Sequence, residues 1–127
     1  MECAVWPMVN LDTHVVIFYV TGVSTPRERN LIESSQCVIS DMVLWELAML
    51  TEAGRIETDI GCVEFQSALA SLKVIPISLE IARMSTRLDF SSDPADEIIA
   101  ATSIVERIPL LTRDRRILKS RMVPFAV

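Results

Sequence analysis

Four acidic residues stand out by the company they keep. Asp12 closes the apolar run MVNL, residues 8–11, and Asp114 follows a second apolar run, PLLT, at residues 109–112. Glu46 is the only charged residue between Met42 and Leu50, and Asp96 lies in SSDPADEIIAATS, residues 91–103. A carboxylate among apolar side chains is costly unless a hydrogen-bond donor or a positive charge meets it. Carboxylates packed together repel and raise one another's pKa, and a divalent cation reverses that cost. Hard cations prefer oxygen ligands, so the ion to expect here is Mg²⁺ (or Mn²⁺). Such an ion makes hydroxide from water near neutral pH and offsets charge on phosphorus oxygens, which is the chemistry of phosphodiester hydrolysis with water as nucleophile. No Ser/His/Asp set, glycine-rich phosphate loop or HExxH pattern competes, because the chain has a single histidine, His14, and three glycines. His14 itself reads as packed or capping.

Each acid also has an ordinary explanation. Asp93 before Pro94 reads as a helix N-cap with proline at the first helical position, and Asp96 falls where a capping box would reach back to it. Asp12 suits a strand-end cap, Asp114 a turn and Glu46 a solvent-facing charge. The choice depends on whether the elements bring the four together. Strands are predicted at 8–12, 37–40, 73–77 and 108–112, with residues 122–127 a last strand or tail. Between them, helices are predicted from Thr13 to the stop at Gly22, from Thr25–Pro26 to about Ser35, and from a Ser40 or Asp41 cap to Gly54. Others follow over 57–72 with Gly61 a weak point, over 78–88 from a Ser78 cap, from Pro94 to about Arg107, and over 113–120. Apolar strands alternating with helices predict one open α/β domain with a central parallel sheet flanked by helices on both faces. In such a sheet every strand delivers its carboxyl end to the same edge, where these folds place their sites. Asp12, Asp96 and Asp114 should project there, with Glu46 in the helix after the second strand.

Composition limits the alternatives. A chain of 127 residues makes one domain with a core of its own, and 50 % hydrophobic residues with a mean hydropathy of +0.38 leave apolar surface for another chain. Apolar runs such as VVIFYVTGV are too short to span a bilayer, and MECAVWPM has an acid where a secretory signal would be basic. The expectation is therefore a cytoplasmic protein with no membrane segment. Cys3, Cys37 and Cys62 have no ligand or disulfide spacing. The net charge of −5 excludes bulk electrostatic attraction to nucleic acid, although Arg113, Arg115, Arg116, Lys119 and Arg121 crowd into nine residues. That run is either a solvated helix face or a local contact for RNA phosphates.

Taken in order, NLDTH, VISDMVLWELAML, SSDPADEIIAATS and PLLTRDRRI resemble the PIN-domain ribonucleases, and among them the VapC-type toxins of bacterial toxin–antitoxin pairs. The likeness covers nearly the whole chain from Val9. It implies a PIN-like domain, a metal-dependent endoribonuclease that acts as a toxin, a homodimer, and neutralisation by a cognate VapB-like antitoxin encoded beside it. By the same resemblance Asp12, Glu46, Asp96 and Asp114 hold the ion, Asp93 is an accessory acid closer to a cap, and the Thr13 and Thr112 hydroxyls support the acids from behind. Arg113, Arg115 and Arg116 then meet RNA phosphates beside the ion. Two features depart from the pattern: Glu97 stands where arginine is common, and residues 1–7 precede the usual start, so that either Met8 is the native first residue or residues 1–7 form an N-terminal extension. Two rival readings stay open, a PIN-like interaction module without activity and an aspartate-based phosphotransfer protein using Asp12.

Overall fold

Strand β1 (Met8–Leu11) occupies the middle of the sheet in the structure, a computed structural model that describes residues 7–54 and 61–126. Its parallel neighbour on one side is β2 (Gln36–Ser40), followed by β3 (Lys73–Ile75), and on the other side lies β4 (Leu110–Leu111), giving the order β3-β2-β1-β4. The chain moves outward from β1 to β3 and then crosses back to add β4, so the direction of winding reverses at the β1–β4 pair. Crevices at such a reversal open beyond the carboxyl ends of the strands. Asp12 and Asp114 flank this one.

Alternation along the strands feeds two cores. Val9, Leu11 and Ile39 enter the larger one with Val15, Val16, Val43, Leu47 and Phe65, while Val38 enters a smaller one with Ile75, Ile81, Ala101 and Ile108. The larger core takes residues from α1 (Thr13–Val20), α2 (Pro26–Glu33), α3 (Asp41–Glu52) and α4 (Val63–Ala70). The smaller takes them from α5 (Leu79–Ser85) and α6 (Pro94–Glu106), so helices cover both faces, as expected. Asn10, fully buried on β1, donates to the Ile99 carbonyl at 3.2 Å and to Ser103 Oγ at 2.9 Å, fastening α6 across the sheet.

The helix starts follow their caps. Thr25 and Glu28 form a complete capping box on α2 with Pro26 at its first position. Ser40 Oγ accepts from Met42 N–H at 3.1 Å and Ser78 Oγ from Ile81 N–H at 3.1 Å. Gly54, at φ 66°, follows the end of α3 in a conformation that side chains disfavour. Several predicted elements shrink for simple reasons. Strand β3 stops at Ile75 because Pro76 has no N–H for the ladder, and β1 stops at Leu11 because Asp12 is already the cap of α1. Strand β4 keeps only Leu110–Leu111. The tail adds a single parallel bridge, Leu110 to Phe125, with Leu110 N–H donating to the Pro124 carbonyl at 2.8 Å. Helix α4 begins at Val63, after Gly61; residues 57–60 of that prediction lie outside the described residues, as do residues 1–6 of the proposed extension. The last helix, α7, covers only Arg115–Leu118 because Asp114 is its cap. Among the described residues no helix is long and apolar enough to cross a membrane. Cys37 and Cys62 are free thiols, and burial pushes the Cys37 thiol up to about 11.

Candidate metal centre

At the carboxyl edge of the sheet a cavity of about 370 Å³ is lined by Asp12, His14, Phe18, Glu46, Asp93, Asp96, Arg113 and Asp114. All four candidate acids are present, together with Asp93. Asp12 caps α1 and is 4 % exposed: one carboxylate oxygen accepts from Thr13 N–H at 2.8 Å and the other from Thr112 Oγ1 at 2.6 Å. The Thr112 hydroxyl accepts in turn from Asp114 N–H at 3.0 Å, so one side chain sets the spacing between the acid after β1 and the acid after β4. Asp114 receives the N–H groups of Arg116 and Ile117 on a single oxygen, at 2.9 and 3.1 Å. Its capping and its place in the cavity therefore coexist. Glu46, one and a half turns into α3, accepts a short hydrogen bond from Thr13 Oγ1, which is the partner that its apolar surroundings demanded.

The opening of α6 differs from the expected capping box. Asp93 occupies the cap position, but its carboxylate makes no capping hydrogen bond and lines the cavity instead. Asp96 accepts from Ser92 Oγ at 2.9 Å rather than reaching back to Asp93 N–H. Glu97 takes over the backward reach, accepting from Ser92 N–H at 3.3 Å. This gives Glu97 a structural role: it ties down the loop in front of the helix, which leaves Asp96 turned to its acidic neighbours.

The electrostatics follow from the crowding. Burial, partly offset by the Ser92 hydrogen bond, and the negative charges of Asp12, Glu46 and Asp114 push Asp96 up to about 6. Burial also raises Asp12, against the lowering effect of its two hydrogen bonds and of His14. Oxygen donors in this number suit Mg²⁺ or Mn²⁺ in type and location. Their spacing is less complete: among the described residues no three side chains of metal-binding type are gathered closely enough to enclose one ion. Holding an ion therefore requires the carboxylates to turn inward.

Two residues sit differently from expectation. His14 is exposed on the cavity wall instead of packed or capping. Arg113 lines the cavity, but its guanidinium donates to Glu28 through Nε at 2.7 Å and through Nη2 at 2.5 Å, with Cζ 4.2 Å from the centre of the Phe18 ring. Arg115 and Arg116 are exposed on α7, outside the cavity lining. Of the residues that sequence reasoning passed over, Ser92 had a local signal in its position directly before Asp93, and Phe18 lies one helical turn from His14. Glu28 had none, being 85 residues from Arg113.

Asp12 makes a poor phosphoryl acceptor, since it is nearly buried and both of its oxygens are hydrogen-bonded. Comparison with known proteins points elsewhere. The chain matches the PIN domain over residues 9–121. It is 29 % identical over 119 residues to Ribonuclease VapC22 of Mycobacterium tuberculosis, covering 89 % of this chain and 92 % of that protein. Among solved structures, VapBC2 from Rickettsia felis, bound to a DNA fragment from its promoter, superposes with a TM-score of 0.70 at 18 % identity over 94 % of this chain and 97 % of that one. A toxin–antitoxin complex from Klebsiella pneumoniae gives a TM-score of 0.66 at 23 % identity over 87 % and 90 %. At these identities the superpositions establish the fold, and the sequence match spans all four acids and reaches past the last of them, Asp114: the chain belongs to the PIN-domain family.

Proposed function

We propose that this protein is a metal-dependent endoribonuclease that acts as a toxin and is neutralised by a cognate VapB-like antitoxin. The observation that carries the reading is the convergence of Asp12, Glu46, Asp96 and Asp114 on one cavity with Asp96 pushed up to about 6. A fold that crowds mutually repelling acids, Asp12 buried and the other three partly buried, is destabilised by them unless a cation is bound, which favours a nuclease over an inactive interaction module. Likeness to Ribonuclease VapC22 supports RNA as the substrate, and the toxin–antitoxin complex from Klebsiella pneumoniae supports an antitoxin partner.

Asp12, Glu46, Asp96 and Asp114 would hold Mg²⁺ or Mn²⁺, with Asp93 at the rim. Bound there, the ion supplies Lewis acidity and a water acidic enough to attack a phosphodiester at neutral pH. The chain's own residues prepare the site. Thr112 and Thr13 fix Asp12 and Glu46 by donating to them, and Ser92 orients Asp96, which can hold a proton at mildly acidic pH and would have to give it up to serve as a ligand. Arg115 and Arg116, exposed beside Asp114, are available to RNA phosphates farther along the strand. For partner chains, Leu44, Trp45 and Met49 on α3 are 40, 53 and 52 % exposed, apolar surface that suits both a homodimer and an antitoxin.

The test is cleavage of single-stranded RNA by the purified chain. Wild-type protein should cut with Mn²⁺ or Mg²⁺ and stop in EDTA, and Asp12→Asn and Asp96→Asn should be inactive yet folded. Wild-type rates in both variants would refute the assignment.

A further inference from the structure

One wall of the acidic cavity is not acidic. Phe18 and His14, one turn apart on α1, have ring centres 6.2 Å apart at 46°, and the Arg113 guanidinium lies over Phe18 with Cζ 4.2 Å from the ring centre. All three residues line the same cavity as the four carboxylates. Arg113 is fixed from behind: Glu28 takes Nε and Nη2 at 2.7 and 2.5 Å, and the Val23 carbonyl lies 3.4 Å from Nη2. Its side chain remains 41 % exposed, whereas that of Glu28 is 12 % exposed. Glu28 thus neutralises the charge and holds the group in place without covering it. An arginine so paired is a weak phosphate ligand, but its flat guanidinium and the neighbouring rings still offer stacking surface.

The geometry points to Phe18, Arg113 and His14 as a nucleobase-stacking subsite: the base of a nucleotide flanking the scissile phosphate of single-stranded RNA stacks on this wall while the phosphate faces the acids. This rests on the RNA-cleaving reading proposed above. Every base has a π-face, and proteins that bind unpaired strands use aromatic rings and arginine planes for this purpose. A paired helix keeps its bases stacked internally, so the subsite selects unpaired RNA.

The test uses an oligoribonucleotide whose cut site has been mapped with wild-type protein and Mn²⁺, and the same RNA with an abasic residue on either side of the cut. In wild type, one of the abasic substitutions should raise KM about ten-fold, the scale of one lost stacking contact. Phe18→Leu should raise KM similarly on intact RNA and lose the sensitivity to that abasic residue. His14→Ala, at an exposed position that leaves the fold undisturbed, should show a smaller effect of the same kind and decides the matter if Phe18→Leu fails to fold. Wild type indifferent to both abasic residues, or variants as sensitive as wild type, would overturn the subsite and leave the nuclease reading intact. Absence of any cleavage by wild type would overturn the nuclease reading and the subsite with it.

Discussion

Two carboxylates, one lining the acidic cavity and one behind its Arg113 wall, meet opposite fates. Glu28 has its positive partner within the chain, and the Arg113 hydrogen bond holds its carboxyl down at about 2. Asp96 has Ser92 and three further acids around it, and burial with their charges pushes it up to about 6. A fold selected only for stability would give each acid the first arrangement. The second leaves the protein with unfavourable electrostatics that a divalent cation would relieve, so the contrast separates an acid that holds the scaffold from the acids proposed to bind an ion.

The largest effect should come from breaking the second region. On the proposed reading, Asp12→Asn and Asp96→Asn are expected to lower RNA cleavage by about a thousand-fold or more, since several kcal/mol of transition-state stabilisation would depend on the ion they would hold. Circular dichroism should show both variants folded. Next in size is stabilisation by the ion. At a concentration about a hundred times its Kd, Mn²⁺ should add roughly 2.7 kcal/mol and raise Tm by several degrees. A melt of wild type unmoved by Mn²⁺ or Mg²⁺ would remove the basis for the site.

A smaller effect concerns pH in the ion-free protein. Between the ordinary aspartate value of 3.8 and about 6, the folded chain binds more protons at Asp96 than the unfolded chain does, so this group makes stability fall as the pH rises through that window. The raised Asp12 acts in the same direction. Glu28 acts oppositely, its stabilisation being present above 4.5 and lost as the pH falls towards 2. In EDTA, therefore, Tm should be a few degrees higher at pH 5 than at pH 7, and Asp96→Asn should flatten the difference. Identical pH profiles for the variant and wild type would show that Asp96 is not under the electrostatic load described. Smallest is the scaffold pair itself: Glu28→Gln should cost about 1 kcal/mol, because the ion pair is partly exposed, and should leave Mn²⁺ affinity unchanged. Loss of Mn²⁺ binding in Glu28→Gln would erase the distinction between the two regions.

Much of this arrangement was legible in the sequence because the signals are local. Apolar runs ending in Asp12 and just before Asp114, caps at Thr25, Ser40 and Ser78, and Pro94 opening α6 each report on a few consecutive residues, and parallel topology then gathers the acids. What escaped depends on contacts that no short window contains. Arg113 read as a phosphate contact because Glu28, its partner, lies on a helix 85 residues earlier. Within SSDPADE the opposite problem arose, too many acids for one cap. Local rules gave the backward reach to Asp96, whereas Asp96 accepts from the Ser92 hydroxyl and Glu97 makes the backward bond, to Ser92 N–H. Strand lengths were overestimated where Pro76 and the cap Asp12 end the ladder early, and the last helix where Asp114 is its cap.

The most direct test of the account is a calorimetric titration of Mn²⁺ into ion-free protein at pH 6, run in two buffers of different ionisation enthalpy. If the acids hold the ion, wild type should bind it with release of protons, because Asp96, pushed up to about 6, is partly protonated there, and Asp96→Asn should bind more weakly and release fewer. Absence of binding by wild type, or equal affinity and equal proton release in the variant, would contradict it.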